Sequence, residues 1–76
     1  MNPRIEVNPK ILSGRAVIRG TRIPVEIIVR KLGEGATVAA VVDDYPRLTE
    51  EDVRAALAFA ADSLSTDEIV RLAYSE

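Results

Sequence analysis

Among the 76 residues there is neither cysteine nor histidine, and this limits the available chemistry before any element is placed. A nucleophile needs a base within hydrogen-bonding reach, and the commonest pairs cannot be assembled without these two residues. The usual nitrogen and sulfur ligands of zinc are missing, as are disulfides. Catalysis is therefore not expected, and neither a cofactor nor a metal is expected. The acidic runs Asp43-Asp44 and Glu50-Glu51-Asp52 lack the alternating ligands of a calcium loop. The first falls at a helix end and the second at a helix start, where carboxylates are favourable without any ion. Gly14, Gly20, Gly33 and Gly35 form no phosphate-cradling loop, since no strand leads through a glycine-rich turn into a lysine-bearing helix. Tyr45, Phe59 and Tyr74 are the only aromatics, too few for a base-stacking platform.

Arginine is the residue that remains. Arg15, Arg19 and Arg22 cluster around Gly20-Thr21, and guanidinium groups grip phosphate or read guanine edges. Arg47 and Arg54 flank the start of a later helix and can add contacts. Arg15, Arg19, Thr21, Arg22, Arg47 and Arg54 are the candidate DNA-binding residues. The competing reading is that the three clustered arginines are solubilising charges at a hairpin rim, or that one of them pairs with Glu6 or Glu26.

These residues must be positioned by short elements. Ile5 and Val7 alternate with Glu6, and Val17-Ile18 forms a second β-branched segment, with turn signals at Asn8-Pro9 and Ser13-Gly14. A small β-hairpin or arm over 5–23 fits, with Gly20 ending its second strand. Pro24 to Leu32 reads as a helix, because proline suits a first turn and Val25, Ile28 and Leu32 recur at helical spacing; Gly33 stops it. Thr37 caps a second helix carrying Val38, Val41 and Val42, which Pro46 ends. Thr49 opens a third, with Glu50, Glu51 and Asp52 in its first turn and Val53, Ala56, Leu57 and Ala60 as the expected buried face. Ser65 and Glu68 suggest a capping box for a last helix on which Ile69, Leu72 and Ala73 form an apolar stripe. That stripe either closes the domain's own core or is a candidate ligand for a partner protein's groove. The expected architecture is mainly α and a single domain over 1–76: the β arm, a helix-turn-helix core over 24–61 and a C-terminal helix over 62–76.

A net charge of −2 conceals two halves of opposite sign. Up to Lys31, seven basic residues face two acids; beyond it, three arginines face ten acids. The basic half suits phosphate and the acidic half suits a protein partner. A chain this short buries a small core, which favours a homodimer. The opening residues carry no apolar run and no stretch approaches the roughly 20 residues of a membrane span, so a cytoplasmic protein without membrane association is expected.

Two pieces of the chain, Ile18-Arg19-Gly20-Thr21-Arg22-Ile23-Pro24-Val25 and Asp44-Tyr45-Pro46-Arg47-Leu48-Thr49-Glu50-Glu51-Asp52-Val53, are separated by Gly33-Glu34-Gly35. In that arrangement they resemble a widespread prokaryotic family of VapB-like antitoxins, long catalogued as a domain of unknown function. The resemblance runs from about Ile5 to Ala61. It implies a homeodomain-like helix-turn-helix with a short N-terminal β arm. It also implies an antitoxin of a type II toxin-antitoxin system, which neutralises a PIN-like ribonuclease toxin and autoregulates its operon by binding operator DNA as a dimer. The chain departs from the family at Ala39-Ala40, where acids are usual. A recognition helix that starts with three carboxylates is poorly suited to a polyanion. Either the hairpin arm contacts DNA in its place, or that surface serves a protein partner.

Overall fold

The computed structural model describes residues 2–65. Two strands, β1 (Ile5–Val7) and β2 (Ala16–Ile18), precede three helices, α1 (Val25–Gly33), α2 (Val38–Asp44) and α3 (Glu50–Leu64). The strands pair antiparallel, with Ile5 opposite Ile18, Glu6 opposite Val17 and Val7 opposite Ala16. The connection between them carries a tight turn in which Leu12, Ser13 and Gly14 all adopt positive φ, at 47°, 58° and 83°. Only glycine occupies that region freely, so Leu12 and Ser13 each cost about 1–2 kcal/mol.

A second, tighter turn follows β2. The Thr21 amide donates to the Ile18 carbonyl at 3.0 Å, and Gly20 takes φ +80°, which a glycine at the third position of such a turn allows. Thr21 fixes it twice more: its hydroxyl donates to the Ile18 carbonyl at 2.7 Å and accepts from the Ile23 amide at 3.0 Å. The chain then returns alongside β2, bridging Val17 to Pro24.

Most helix ends follow local signals in the sequence, but α1 runs through Gly33, its expected stop, and the left-handed residue that turns the chain is Gly35 at φ +102°. Pro24 stands at the N-cap of α1, with Glu26 in its first turn and Arg30 and Lys31 in its last, all complementary to the helix dipole. The Thr37 hydroxyl accepts from the Ala40 amide at 3.0 Å and caps α2. At α3 the Thr49 hydroxyl accepts from the Asp52 amide at 3.1 Å, while the Asp52 carboxylate accepts from the Thr49 amide at 3.0 Å. Two orphan amides are satisfied by this reciprocal box. α3 continues through Ala61 to Leu64, so 62–64 complete that helix. The expected last helix, with its Ser65–Glu68 cap and the Ile69, Leu72, Ala73 stripe, lies outside the described residues apart from Ser65.

Two strands alone are barely stable in water, and here α1 and α3 cover them. Ile5, Ile18, Val25, Ile28, Val41, Leu48, Val53, Ala55 and Ala56 form one buried cluster. Val7, in phase with Ile5, is 47% exposed because the outer end of the hairpin extends past this cluster. The buried face of α3 is also rotated from the expected one. Val53 and Ala56 are buried as expected, Ala60 is half-buried, and Leu57 is 41% exposed, while Ala55 and Asp52 are buried. The small Ala55 and Ala56 let α3 approach α1 and α2 closely, and Leu57 lies about 100° of helix away from Ala56 on the outer side.

Candidate nucleic-acid interface

The six arginine and threonine positions singled out in the sequence divide into two groups. Arg15 and Arg54 are tied to carboxylates. Arg15 bonds Glu26 in the first turn of α1, and Glu26 also accepts from Arg30 at 2.6 Å. The Arg15 hydrogen bond is the main reason the Glu26 carboxyl is held below its ordinary value, with the charges of Arg15 and Arg30 adding to it. Arg54 pairs with Glu50 one turn earlier on α3. Pairs this exposed contribute little stability; Arg54 has Glu50 to itself, whereas Arg15 and Arg30 share the one charge of Glu26.

Of the other four, Thr21, Arg22 and Arg47 meet at the Gly20–Thr21 turn, and Arg19 belongs to that turn only by its backbone. Arg19 turns back along β1, its Nε donating to the Pro3 carbonyl at 2.7 Å and an NH2 to the Ile5 carbonyl at 3.3 Å. Its backbone amide donates to the Arg4 carbonyl at 2.8 Å. Arg47, from the connection between α2 and α3, donates to the Gly20 carbonyl at 2.7 Å. Arg22 is exposed, and with Arg47, Gly20, Thr21, Ile11 and Glu6 it lines a cavity of about 390 Å³. Thr21 holds the turn together through its hydroxyl.

What separates the groups is the charge of the partner. Arg4, Arg15, Arg30, Lys31 and Arg54 each come within 4.0 Å of a carboxylate. Among the described residues Lys10, Arg19, Arg22 and Arg47 do not. Arg22 and Arg47 therefore lie at one four-residue turn with Glu6 lining the same cavity, while Arg19, within that turn by its backbone, extends its guanidinium to the carbonyls of Pro3 and Ile5. A carbonyl satisfies guanidinium geometry without cancelling its charge. The turn is thus a fixed positive site, suited to phosphate oxygens.

The acids at the start of α3 are largely committed. Arg4 donates to Asp52 at 2.9 Å and to Glu51 at 3.1 Å, and Glu50 holds Arg54. Burial raises the Asp52 carboxyl, but the Thr49 amide, the Arg4 guanidinium and the Thr49 side chain outweigh it and leave it below its ordinary value. The Arg4 contact joins residues 48 apart in sequence, and no local pattern announces it.

A second surface lies on the far side of α1. A groove of about 610 Å³ has an apolar floor that includes Val25, Val29, Phe59 and Leu64, and Arg15, Glu26 and Arg30 also line it. Leu64 is 61% exposed there. Among the described residues no helix is long and apolar enough to cross a membrane, and no group of three acids that could hold a metal ion is found.

The chain is similar to a crystal structure of a DUF433 member protein from Anabaena variabilis ATCC 29413, with a TM-score of 0.75 and 35% identity. That alignment covers 90% of this chain and 65% of the other. It is also 36% identical over 53 residues to the uncharacterized protein y4eO of Sinorhizobium fredii (strain NBRC 101917 / NGR234), covering 70% of this chain and 24% of that protein. The chain thus spans only about a quarter of that relative's length. The model of one family, described as a protein of unknown function (DUF433), matches residues 5–60, and the chain belongs to that family.

Proposed function

We propose that the chain is a DNA-binding antitoxin of the cytoplasm. In this reading it is a homeodomain-like helix-turn-helix protein that docks on operator DNA as a homodimer and neutralises a PIN-like ribonuclease toxin by protein binding. The observation that carries the DNA half is the placing of Arg22 and Arg47 at the Gly20–Thr21 turn, with Arg19 held beside it on the carbonyls of Pro3 and Ile5, none of the three within salt-bridge distance of a carboxylate among the described residues. Such a turn releases counterions when it meets a phosphate backbone, and that release drives binding. The antitoxin half rests on the motif resemblance to VapB-like proteins. α2 and α3, which pack together across residues 45–49, serve as the helix-turn-helix pair.

The contact comes mainly from the arm. Glu50 and Glu51 are 61% and 70% exposed at the start of α3, and they repel a polyanion even while paired. Arg54, matched by Glu50, and Arg15, which shares Glu26 with Arg30, contribute less than the turn arginines. The toxin is held elsewhere, through the stripe Ile69, Leu72 and Ala73 outside the described residues. A second reading, a protein-interaction module without DNA, is favoured by the apolar groove beside α1 and by the exposure of Leu57 and Leu64.

Salt separates the two readings. With three phosphate contacts per subunit, log affinity for a DNA duplex falls with log salt at a slope of roughly −2.7 per subunit. A flat response leaves only the interaction module. The toxin half is tested by affinity capture from the native cytoplasm with a high-salt wash. Recovery of a small PIN-like protein in near-equal amount supports it, and return of the chain alone removes it.

A further inference from the structure

Arg19 and Arg47 are oriented before any ligand arrives. Arg19 commits its Nε and one NH2 to the carbonyls of Pro3 and Ile5, and Arg47 commits an NH2 to the Gly20 carbonyl. Reading a guanine edge requires a free two-pronged fork projected into the major groove, and the fork of Arg19 is turned toward its own chain. A phosphate oxygen demands less: it needs a remaining N–H and a positive charge at a fixed place. Preorganised side chains also lose less entropy when the ligand binds.

Arg22 and Arg47 line the same cavity, of about 390 Å³, and Glu6 is the one carboxylate residue among those that line it. Glu6 sits mid-strand on β1 opposite Val17 and is partly exposed. We infer that this cavity receives a DNA backbone, with Arg22 and Arg47 each meeting one of two adjacent phosphates and Glu6 opposing both. The turn then supplies affinity and orientation but no sequence discrimination. The inference rests on the DNA-binding reading above and makes Glu6 the residue that limits the grip, since its charge offsets part of the two arginines' field.

The test uses the full chain and two duplexes of equal length and composition, one from the DNA upstream of its own coding region and one shuffled. Binding is followed by fluorescence anisotropy between about 50 and 200 mM salt, with folding of each variant checked by circular dichroism. Arg22→Ala is expected to weaken both duplexes by the same factor and to make the salt slope shallower by about 0.9. Glu6→Gln is expected to strengthen both. Loss confined to the native duplex assigns base reading to Arg22 and overturns the inference, as does a Glu6→Gln variant with unchanged or weaker binding. If the unaltered chain binds neither duplex, the DNA reading itself fails, and titration with inorganic phosphate followed by NMR decides the cavity alone. Shifts at the Gly20 and Thr21 amides that Arg22→Ala abolishes and Glu6→Gln enhances support an anion site, and their absence overturns it.

Discussion

At the start of α3, Arg4 meets the carboxylates of Glu51 and Asp52; at the Gly20–Thr21 turn, Arg19 and Arg47 meet the carbonyls of Pro3, Ile5 and Gly20. Both regions tie distant segments together with arginine, and the geometry is equally good in each. The difference lies in what is left over. In the first, one guanidinium faces two carboxylates, so no positive charge is left over, and the contact is partly under cover, since Asp52 is only 7% exposed; the arrangement serves folding. In the second, no carboxylate among the described residues comes within salt-bridge distance, and the charge, offset in part by Glu6, persists at the surface. A cluster of arginines in a sequence therefore says little about binding until the charge of each partner is known.

The largest effect that separates the regions is expected at Asp52. Asp52→Ala removes half of the capping box and the Arg4 partner together, at a cost of about 2–3 kcal/mol. Urea denaturation measures that loss, and DNA affinity at a temperature where the variant is folded stays unchanged. Loss of affinity in the folded variant would place α3 in the interface and break the contrast. Arg47→Ala touches both roles in smaller measure. It is expected to cost about 1 kcal/mol by freeing the Gly20 carbonyl and to reduce the salt slope of DNA binding by about 0.9.

Acid acts on the first region alone. Because the folded Asp52 carboxyl lies below its ordinary value, its contribution is fully present above about pH 4 and is lost as pH falls through the folded value. Stability measured by thermal melts between about pH 5 and 2 therefore declines, and Asp52→Asn flattens part of that decline. Glu26 is lowered in the same direction, but it is exposed, and Glu26→Gln flattens the curve less. Equal flattening by the two variants would contradict the difference in burial. The smallest expected effect is at Ser13, exposed at φ 58°. Ser13→Gly relieves the left-handed strain and raises stability by about 0.5 kcal/mol, leaving both arginine regions as they are.

Much of this fold was legible because its signals are local. Thr37 and Thr49 cap helices a few residues from their partners, Pro46 ends α2, and Gly20 turns the chain at a positive φ of 80° that glycine adopts freely. The two strands appeared as β-branched pairs at the expected places. The orientation of α3 was not legible, because Leu57 looks like a core residue until Ala55 and Ala56 are seen to admit closer packing. The candidate site was half legible. The arginines around Gly20-Thr21 stood out by spacing, and a pairing of one of them with Glu26 was an open alternative that Arg15 fulfils. What spacing could not reveal was which guanidinium groups stay uncompensated, since that depends on Arg19 reaching Pro3, Arg47 reaching Gly20 and Arg4 reaching Asp52 across the fold.

The arginines of the turn, which pair with no carboxylate among the described residues, are expected to meet DNA, and those paired with carboxylates are not. The most direct measurement compares the salt slope of duplex binding for the unaltered chain, Arg22→Ala and Arg54→Ala. The account predicts a slope shallower by about 0.9 for Arg22→Ala and an unchanged slope for Arg54→Ala. Equal slopes for the two variants, or a larger change at Arg54, would contradict it.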